Sequence, residues 1–337
     1  MCVEIDQRCF GNDVINIILI SGGKDSLAVG LLARDSNVPR LNVFADTGHE
    51  HPETYRYINY LTDHVGDIHQ VCADLAVDIE RKRQYVSDHW HEKLVSQYGF
   101  SSEQATNAIT RAINALRPTG NPFLDLCLLK GRFPSTRARF CSTILKHDVV
   151  KRQIVDVLLH KFNEVVIWQG VRADESVSRS NLPVWETDAD NTPGLNIYRP
   201  ILNWSHDQVF EFAKRHGVEP NPLYKQGFTR VGCMPCIHAR KSELREIFLR
   251  YPDQIERVAN WEQIVSQCAP RGCAAFFIST LDPANRETNP DLVSLNSHGI
   301  KTIQDWALTT RGGRQFDLLA GLNDGVACNS VYAGVCE

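Results

Sequence analysis

The sequence predicts an α/β fold, in which a doubly wound, mostly parallel sheet is followed by a smaller, mainly helical region that carries cysteines. Two observations support this prediction. Residues 14–20 are almost wholly apolar and largely β-branched, as in a buried parallel strand, and two glycines follow them directly. Strand and helix patterns then alternate along the chain, and parallel strands require such crossover helices.

The alternating part of the chain predicts a sheet with five strands. These lie at residues 14–20, 41–46, 68–72, 164–168 and 197–202. Helices at 26–34 and 53–65 connect the first three strands. Residues 78–135 break the alternation with a polar, helical pattern and several turn residues, and we interpret them as a helical insertion.

The chain is predicted to divide into two domains. Residues 1–204 would form the α/β domain, and residues 205–337 would form the cysteine-bearing region. In the second region, helices are predicted at 241–249 and 253–267, and an apolar segment at 274–278 predicts a short strand.

The composition is that of a soluble globular protein. The 337 residues are 43% hydrophobic and 23% charged, and no apolar run approaches the ~20 residues that span a bilayer. The N-terminus includes acids and lacks an extended apolar core, so we expect no signal peptide, a cytoplasmic location and no membrane partner. The net charge of −4 disfavours nucleic-acid binding by the molecule as a whole, but residues 130–152 and 225–250 are locally basic.

The glycine turn after the first predicted strand is the candidate phosphate site. Its residues are Ser21, Gly22, Gly23, Lys24, Asp25 and Ser26. The glycine amides and the dipole of the following helix would attract an anion, and the lysine would neutralise phosphate. The aspartate or the second serine would cap the helix or reach a magnesium ion. The alternative is a purely structural turn, but such a turn does not require the lysine, aspartate and serine that follow the glycines. The loop is not a Walker motif, because only two glycines precede the lysine.

Polar residues also follow two other predicted strands. Asp46 and Thr47 follow the second strand and are predicted to contact a nucleotide, whereas the neighbouring histidines are interpreted as loop structure. Gly170, Arg172 and Arg179 follow the fourth strand, and the two arginines suit forked contacts with phosphate. Ligands of open α/β sheets bind beyond the carboxyl ends of the strands, which favours this interpretation. A surface salt-bridge cluster of Arg172 with the nearby acids is the alternative.

The eleven cysteines are predicted to be buried apolar residues, reactive thiols or metal ligands rather than disulfides, because the protein is expected in the cytoplasm. Cys233 and Cys236 form a C-x-x-C pair ahead of a helix, and Cys141 lies in a similarly basic segment. Cys336, or alternatively Cys328, is the candidate fourth ligand. A structural zinc site needs four nitrogen or sulfur ligands, whereas an iron–sulfur cluster takes four cysteines, or three with one open iron.

Five motifs occur in order over most of the chain: SGGKDS, FADTGHEHPET, FCSTILK, GVRADES and VGCMPC. Together they resemble the phosphoadenosine phosphosulfate reductase family of the PP-loop superfamily, whose ATP pyrophosphatases cleave ATP between the α- and β-phosphates. The resemblance implies an adenine nucleotide alpha hydrolase-like domain with the nucleotide at the SGGKDS loop. It also implies, for many members, a 4Fe-4S cluster bound by cysteines.

Departures from the family pattern bear on the cluster and on the reaction. Adenylylsulfate reductases carry paired cysteines where this chain has Cys141 followed by Ser142. Reductases of a pre-made phosphosulfate commonly lose the SGGxDS form and carry their catalytic cysteine in an ECG-type tail, whereas this chain keeps the loop and has Cys336 near its end. The combination looks more like the ATP-splitting, sulfur-transferring branch, which includes a component of DNA phosphorothioation systems and phage-type reductase-like proteins.

The expected function is therefore an ATP pyrophosphatase that adenylylates an acceptor so that sulfur can displace AMP. Lys24, Asp25 and Arg172 would be catalytic, with ATP, Mg²⁺ and a 4Fe-4S cluster, alternatively Zn²⁺, as cofactors. A cysteine desulfurase or another sulfur donor would be a partner, and DNA or tRNA would be the acceptor. The rivals are a thiol-dependent reductase with Cys336 as nucleophile, and a non-catalytic, zinc-stabilised nucleotide-binding subunit that recruits a desulfurase.

Overall fold

The computed structural model describes residues 4–310, which form two compact units. The first unit contains residues 4–73 and 142–233, and the second contains residues 74–141 and 234–310. No helix among these residues is long and apolar enough to cross a membrane. The boundary predicted after residue 204 is a different division, drawn along the sequence, and it stays a prediction.

The first unit is built on one six-stranded sheet. Its strands are β1 (Val14–Leu19), β2 (Arg40–Asp46), β3 (Ile68–Cys72), β4 (Glu164–Trp168), β5 (Trp185–Glu186) and β6 (Leu195–Tyr198). They are ordered β3-β2-β1-β4-β6-β5, and all neighbours are parallel except β5, which pairs antiparallel with β6. The predicted mostly parallel sheet and the helical region that follows it are confirmed.

Fifteen α-helices lie within the described residues. They are α1 (Lys24–Asp35), α2 (Pro52–Val65), α3 (Ala76–Tyr98), α4 (Ser102–Ala115), α5 (Pro122–Lys130), α6 (Phe140–Ser142), α7 (Asp148–Val150), α8 (Asp156–Leu159), α9 (Val177–Ser180), α10 (His206–Arg215), α11 (Pro222–Lys225), α12 (Lys241–Arg250), α13 (Pro252–Cys268), α14 (Leu295–His298) and α15 (Ile300–Leu308). The sheet unit contains α1, α2 and α10, and the second unit contains α3 to α5 and α12 to α15.

The order of the sheet reverses between its central strands, β1 and β4. Strands β2 and β3 lie on one side of β1, whereas β4 and β6 lie on the other. The connections that leave β1 and β4 therefore diverge, and this is where open α/β sheets bind their ligands. The glycine turn follows β1 and Gly170 follows β4, so both lie at this edge of the sheet.

The sheet is covered on both faces, which explains why its strands are almost uninterrupted apolar runs. In β1, Ile18 belongs to a core formed with α1, α2 and α10. Ile17 and Leu19 belong to a second core on the opposite face, as the alternation of side chains along a strand requires. Helix α1 is buried along most of its length because it packs on the centre of the sheet.

The helical segment at 142–159 packs against the second core and is irregular. Two π-helical turns, Thr143–His147 and Lys151–Val155, alternate with short α-helical turns. π-Helical turns are rare in proteins, and many of those that occur lie at functional sites. Lys146 lies in the first π-helical turn and is buried, so this turn directs a lysine side chain into the unit.

The second unit is built from helices packed on α13. Arg111 of α4 donates to the carbonyl oxygens of Gln267 at 3.1 Å and Ala269 at 2.8 Å, at the end of α13. The ring of Phe123 in α5 lies 5.7 Å from the ring of Trp261 in α13. The unit therefore combines an aromatic core with hydrogen bonds that satisfy carbonyl groups at the end of α13.

The strand predicted at 274–278 is wrong. The ring of Phe276 packs 5.1 Å from that of Phe133, so this apolar segment is buried among helices rather than in a sheet. Its main chain does not form a strand hydrogen bond at Phe276, because the Phe276 amide donates to the side-chain Oε1 of Glu262 at 2.7 Å. A short apolar run does not distinguish these two environments.

The strand predicted at 197–202 corresponds to β6, which starts and ends earlier than predicted, at Leu195–Tyr198. The Arg199 amide still donates to the Val184 carbonyl at 2.8 Å, but Pro200 has no amide with which to continue the ladder. The Leu202 amide then bonds back to the Arg199 carbonyl in a turn. Strand β5 was not predicted, because two residues show no recognisable alternation.

A buried carboxylate joins three segments of the second unit. Glu262 of α13 is 2% exposed and accepts the amides of Phe276 at 2.7 Å and Ile300 at 2.9 Å. Burial raises the pKa of Glu262 from its ordinary 4.5 to about 7, although the two amides act in the opposite direction. Between these values the folded protein holds a proton that the unfolded chain has lost.

We predict that Glu262 lowers the stability of the protein as the pH rises from about 4.5 to 7, because its ionisation is penalised only in the folded state. The effect is on the order of 3 kcal/mol. Glu262→Gln keeps an oxygen acceptor for the two amides and cannot ionise. The melting temperature of this variant relative to the wild type should therefore increase with pH in thermal unfolding between about pH 5 and 8.

Glu256→Gln is the matched control. Glu256 lies on the same helix, is exposed and pairs with Lys301 at 3.0 Å. Its melting temperature should follow that of the wild type at every pH. If the Glu262→Gln curve ran parallel as well, Glu262 would not hold the additional proton.

Candidate functional site

The turn after β1 is held in shape by its own two serines. The Ser21 hydroxyl donates to Ser26 Oγ at 2.9 Å, and Ser26 Oγ also accepts the Ser21 amide at 3.1 Å. The Ser26 hydroxyl donates to the Gly23 carbonyl at 3.0 Å. Gly22 has a φ of +81°, which residues with a side chain rarely adopt. The predicted phosphate residues thus form a compact loop at the amino end of α1.

Two other segments confine this loop at Gly22. A Cβ atom on Gly22 would lie 3.0 Å from Thr54 Cγ2 of α2, and the Asn221 amide donates to the Gly22 carbonyl at 3.2 Å. Thr54 is fully buried, and its hydroxyl has no hydrogen-bond partner among the residues that the structure describes. The loop is therefore fixed from outside as well as from within.

A buried ion group lies at the first turn of α1. Lys24 Nζ is 2.7 Å from Asp25 Oδ2, and Arg172 Nε is 2.7 Å from Asp25 Oδ1. The Asp25 side chain is fully buried, and those of Lys24 and Arg172 are only 8% and 4% exposed. One carboxylate thus pairs two cations away from water, where losing one partner is strongly destabilising. The three side chains together carry a net positive charge at the positive end of the helix dipole.

Arg172 also contacts acids nearer the surface. Its Nη1 lies 2.6 Å from Asp174 Oδ1, and its Nη2 lies 3.9 Å from Glu175 Oε1. Glu175 in turn forms an ion pair with Arg179, which is also buried. The salt-bridge cluster that the sequence offered as an alternative is therefore present, but Arg172 extends it inward to Asp25.

The loop after β4 approaches the first turn of α1 at Gly170. A Cβ atom on Gly170 would lie 2.8 Å from the carbonyl carbon of Asp25 and 2.9 Å from the nitrogen of Ser26. Both are main-chain atoms and cannot move aside as the tip of a side chain can. Only glycine fits here, and the two loops that carry the predicted site residues are in direct contact.

The residues after β2 stabilise their own loop. Asp46 Oδ1 accepts the Gly48 amide at 2.8 Å and the Tyr55 hydroxyl at 2.7 Å. Burial and the hydrogen bond to Asp46 raise the pKa of Tyr55 above its ordinary value, so this hydroxyl stays protonated and donates. Thr47 is buried and donates to Glu50 Oε1 at 2.8 Å. Both predicted nucleotide contacts are therefore engaged in shaping the loop.

Glu50 is the centre of a second buried group in the sheet unit. Its side chain is 2% exposed, and its Oε1 lies 3.8 Å from both Lys146 Nζ and Cys233 Sγ. The main chain pairs here as well, because the His51 amide donates to the Gly232 carbonyl at 2.8 Å. The first cysteine of the C-x-x-C pair is thus attached to the loop after β2.

The predicted metal ligands belong to different units. Cys233 lies in the first unit, Cys141 and Cys236 lie in the second, and all three are partly exposed. Thiolates suit soft metals and iron–sulfur clusters. Within residues 4–310, however, no group of three or more histidine, cysteine or acidic side chains is arranged to hold a metal ion. Cys328 and Cys336 lie outside the described residues.

Several residues that touch the site are not predicted from the sequence. Asn221 and Tyr224 reach the phosphate loop from a distant part of the chain, and the Tyr224 hydroxyl accepts the Lys24 amide at 3.0 Å. The Asn-Pro dipeptide at 221–222 is a signal for a helix start, and Asn221 does cap α11. It carries no signal for contact with Gly22. Glu50 and Lys146 lie inside quoted motifs, but only their burial in three dimensions distinguishes them from surface charges.

Together these groups have the features expected of a site for an anionic ligand. The left-handed glycine, the amino end of α1 and the cation of Lys24 are the features of a phosphate-binding loop. Arg172 adds a second cation, which Asp25 and Asp174 hold in place. Such an arrangement can stabilise negative charge that develops on a leaving phosphate.

The chain is similar to a known protein family and to a phage protein. Residues 15–239 match the family model described as phosphoadenosine phosphosulfate reductase domain. The chain is 58% identical over 333 residues to the "Uncharacterized 37.8 kDa protein in gpa 5'region" of Escherichia phage 186, which covers 99% of this chain and 100% of that protein.

The chain is also similar to named reductases, but over a smaller part of its length. Adenosine 5'-phosphosulfate reductase of Allochromatium vinosum is 36% identical over 112 residues, which are 33% of this chain and 40% of that enzyme. Phosphoadenosine 5'-phosphosulfate reductase of Erwinia tasmaniensis is 28% identical over 192 residues, or 56% and 57% of the two chains. The matches thus span less than two thirds of these reductases.

One solved structure with a similar chain is phosphoadenylyl-sulfate reductase from Candida auris in a phosphate complex. It is 16% identical, with a TM-score of 0.40, and the alignment covers 67% of this chain and 83% of that chain.

We predict that Asp25→Asn lowers the free energy of unfolding by about 3 kcal/mol or more, because it leaves the buried Lys24 and Arg172 cations without their shared counter-charge. Urea unfolding of the two proteins measures the difference.

Asp174→Asn is the matched control, because Asp174 pairs with the same arginine but its side chain is 46% exposed. Water can replace this partner, so the loss should be about 1 kcal/mol or less. Equal losses for the two variants would show that Asp25 is no more important to the arginine than a surface acid.

Proposed function

Because the chain belongs to the phosphoadenosine phosphosulfate reductase domain family, we propose that it binds an adenine nucleotide at the loop of residues 21–26. We further propose that it is an ATP pyrophosphatase, which converts ATP to AMP and pyrophosphate while it adenylylates an acceptor. A sulfur nucleophile would then displace AMP from the activated acceptor.

One observation carries this proposal: the buried ion group of Lys24, Asp25 and Arg172 at the amino end of α1. Binding a pre-made sulfated nucleotide requires only that an anion be held. Breaking the bond between the α- and β-phosphates requires that the charge on departing pyrophosphate be stabilised, and preorganised cations provide this stabilisation. The phosphate loop is complete and carries both its lysine and its aspartate.

The proposed reaction proceeds in two displacements. An acceptor oxygen attacks the α-phosphorus, the bond from that phosphorus to the bridging oxygen breaks, and pyrophosphate leaves with the bonding electrons. The acceptor oxygen now carries AMP and has become a good leaving group. A sulfur nucleophile then takes its place, and AMP departs with the former acceptor oxygen. The site contributes orientation and charge stabilisation.

We include Mg²⁺ in the proposal, with Asp25 as its protein ligand. Both Asp25 oxygens are paired with cations in this structure. The role therefore requires Lys24 to turn from Asp25 to the phosphates, which would free Oδ2 for the metal. Carboxylate and phosphate oxygens are the ligands that Mg²⁺ prefers.

The sulfur side of the proposed reaction involves the cysteines. We propose that Cys141, Cys233 and Cys236, with Cys336 or Cys328 as fourth ligand, hold a 4Fe-4S cluster or alternatively Zn²⁺. When bound, a cluster with an open iron can present sulfur. A cysteine desulfurase or another donor would supply that sulfur.

The proposed acceptor is a nucleic acid, either DNA, as in phosphorothioate modification, or tRNA. Residues 130–152 contain seven lysines and arginines and one acid, and residues 225–250 contain six lysines and arginines and two acids. Local positive charge of this kind attracts a phosphate backbone although the whole chain is acidic.

A second candidate function is thiol-dependent reduction of adenylyl sulfate or its phosphorylated form. The observation that favours it is the 36% identity over 112 residues to a protein named adenosine 5'-phosphosulfate reductase. The proposed nucleophile, Cys336, lies outside the described residues. This reaction would yield sulfite and no pyrophosphate.

We predict that the purified protein forms AMP and pyrophosphate from ATP in the presence of magnesium and one acceptor, tested among DNA, tRNA and no addition. Lys24→Ala should lower kcat by about 100-fold or more, because it removes one main stabiliser of the leaving group. A coupled pyrophosphate assay measures the rate.

Lys214→Ala is the control, since Lys214 is an exposed lysine on α10 and its loss should leave the rate unchanged. Sulfite release from adenylyl sulfate without pyrophosphate release from ATP would replace the proposed function with the reductase. Nucleotide binding without either product would leave only a binding subunit.

We predict that anaerobically purified protein is brown and contains about four irons per chain. Cys233→Ala and Cys236→Ala should each lower the iron content and the visible absorbance, whereas Cys72→Ala, at an exposed cysteine, should change neither. Colourless protein with one zinc per chain would support the zinc alternative.

A further inference from the structure

The first main-chain amide of α1 is occupied by a tyrosine. The Lys24 amide donates to the Tyr224 hydroxyl oxygen at 3.0 Å. Amides in the first turn of a helix have no partner within the helix, and in a phosphate-binding loop they are the donors that a phosphate oxygen takes. Tyr224 therefore bonds to a group that the proposed nucleotide would also need.

The segment that carries Tyr224 is fastened to the same loop at a second point. The Asn221 amide donates to the Gly22 carbonyl at 3.2 Å, and Asn221 Oδ1 accepts the Leu223 amide at 3.0 Å. One side chain thus caps α11 and holds the loop. Helix α11 is only four residues long, and it connects Asn221 directly to Tyr224.

The tyrosine ring is positioned independently of its hydroxyl. It contacts the ring of Phe210 edge-on at 5.5 Å, and Lys24 Nζ lies 5.9 Å from its centroid. Replacing Tyr224 with phenylalanine would therefore keep the ring contacts and remove the bond to the amide. This permits a clean test of the hydroxyl.

We infer that Tyr224 is a positioning residue that competes with the nucleotide for the Lys24 amide. In the free protein its hydroxyl satisfies this amide and keeps the loop ordered. When a phosphate binds, its charged oxygen takes the amide, because hydrogen bonds to charged acceptors are roughly twice as strong as neutral ones. The inference rests on the proposed binding of a nucleotide at this loop, but it does not depend on which reaction follows.

The competition predicts an unusual direction of change. Tyr224→Phe removes a bond that exists only in the free protein, so the variant should bind nucleotide about three- to tenfold more tightly than the wild type. In the activity assay, the KM for the nucleotide should fall without a decrease in kcat. A residue that merely supports the fold would weaken binding when truncated.

Isothermal titration with ATP and, separately, with adenylyl sulfate measures the affinity. Tyr60→Phe is the matched control, because the Tyr60 hydroxyl accepts the Glu219 amide at 3.2 Å on the same segment without touching the loop. The control should bind within about twofold of the wild type. Tighter binding by Tyr224→Phe alone supports the competition, and equal or weaker binding overturns it.

Hydrogen exchange on the wild-type protein gives a readout that needs no substitution. If the nucleotide displaces the tyrosine, residues 221–225 should exchange faster when nucleotide is bound, although residues 21–26 become more protected. Unchanged or slower exchange in residues 221–225 would also overturn the inference.

These measurements separate the inference from the proposed function. Tighter binding by Tyr224→Phe without pyrophosphate release keeps the competition and refutes the reaction. Pyrophosphate release with equal affinities keeps the reaction and refutes the competition. If neither nucleotide binds the wild-type protein, both fail.

Discussion

The buried carboxylate of Asp25 is the interaction on which the candidate site depends. It joins the first turn of α1 to the loop after β4 through Lys24 and Arg172. These elements come from the two strands between which the order of the sheet reverses, so the ion group spans the place where ligands of such sheets bind. Gly170 permits the close approach of the two loops, and the charges then fix their relative position.

Carboxylates hold the cations of this unit before any ligand arrives. Asp25 pairs with Lys24 and Arg172, and Glu50 lies near Lys146 on the loop after β2. A buried cation is stable only with a counter-charge, so these acids allow lysine and arginine side chains to be buried beside the sheet edge. Under the proposed function, an entering phosphate would take Lys24 from Asp25, and Asp25 would keep its pair with Arg172.

Much of the sheet could be predicted from the sequence, because short strand patterns alternate with helical patterns along the chain. The turn at SGGKDS could be located as well, because two glycines directly follow the most apolar of these strands. Asn221 and Tyr224 could not, since their contacts to Gly22 and Lys24 depend on packing between distant segments. The strand predicted at 274–278 was wrong because a segment buried among aromatic side chains has the same apolar pattern as a strand. Ion pairing of Asp25 on both oxygens likewise leaves no trace in the pattern of residues.

The interleaving of the two units affects how the protein can be made. Strand β1 leaves the ribosome early, but its neighbour β4 begins only at Glu164, after the first part of the helical unit has been synthesised. Until then a nascent chain carries β1 with one unpaired edge in an apolar sheet, and such edges recruit other chains. Translation that pauses before Glu164 would therefore leave the most aggregation-prone part of this protein exposed, and any chaperone that assists it would be needed during that interval.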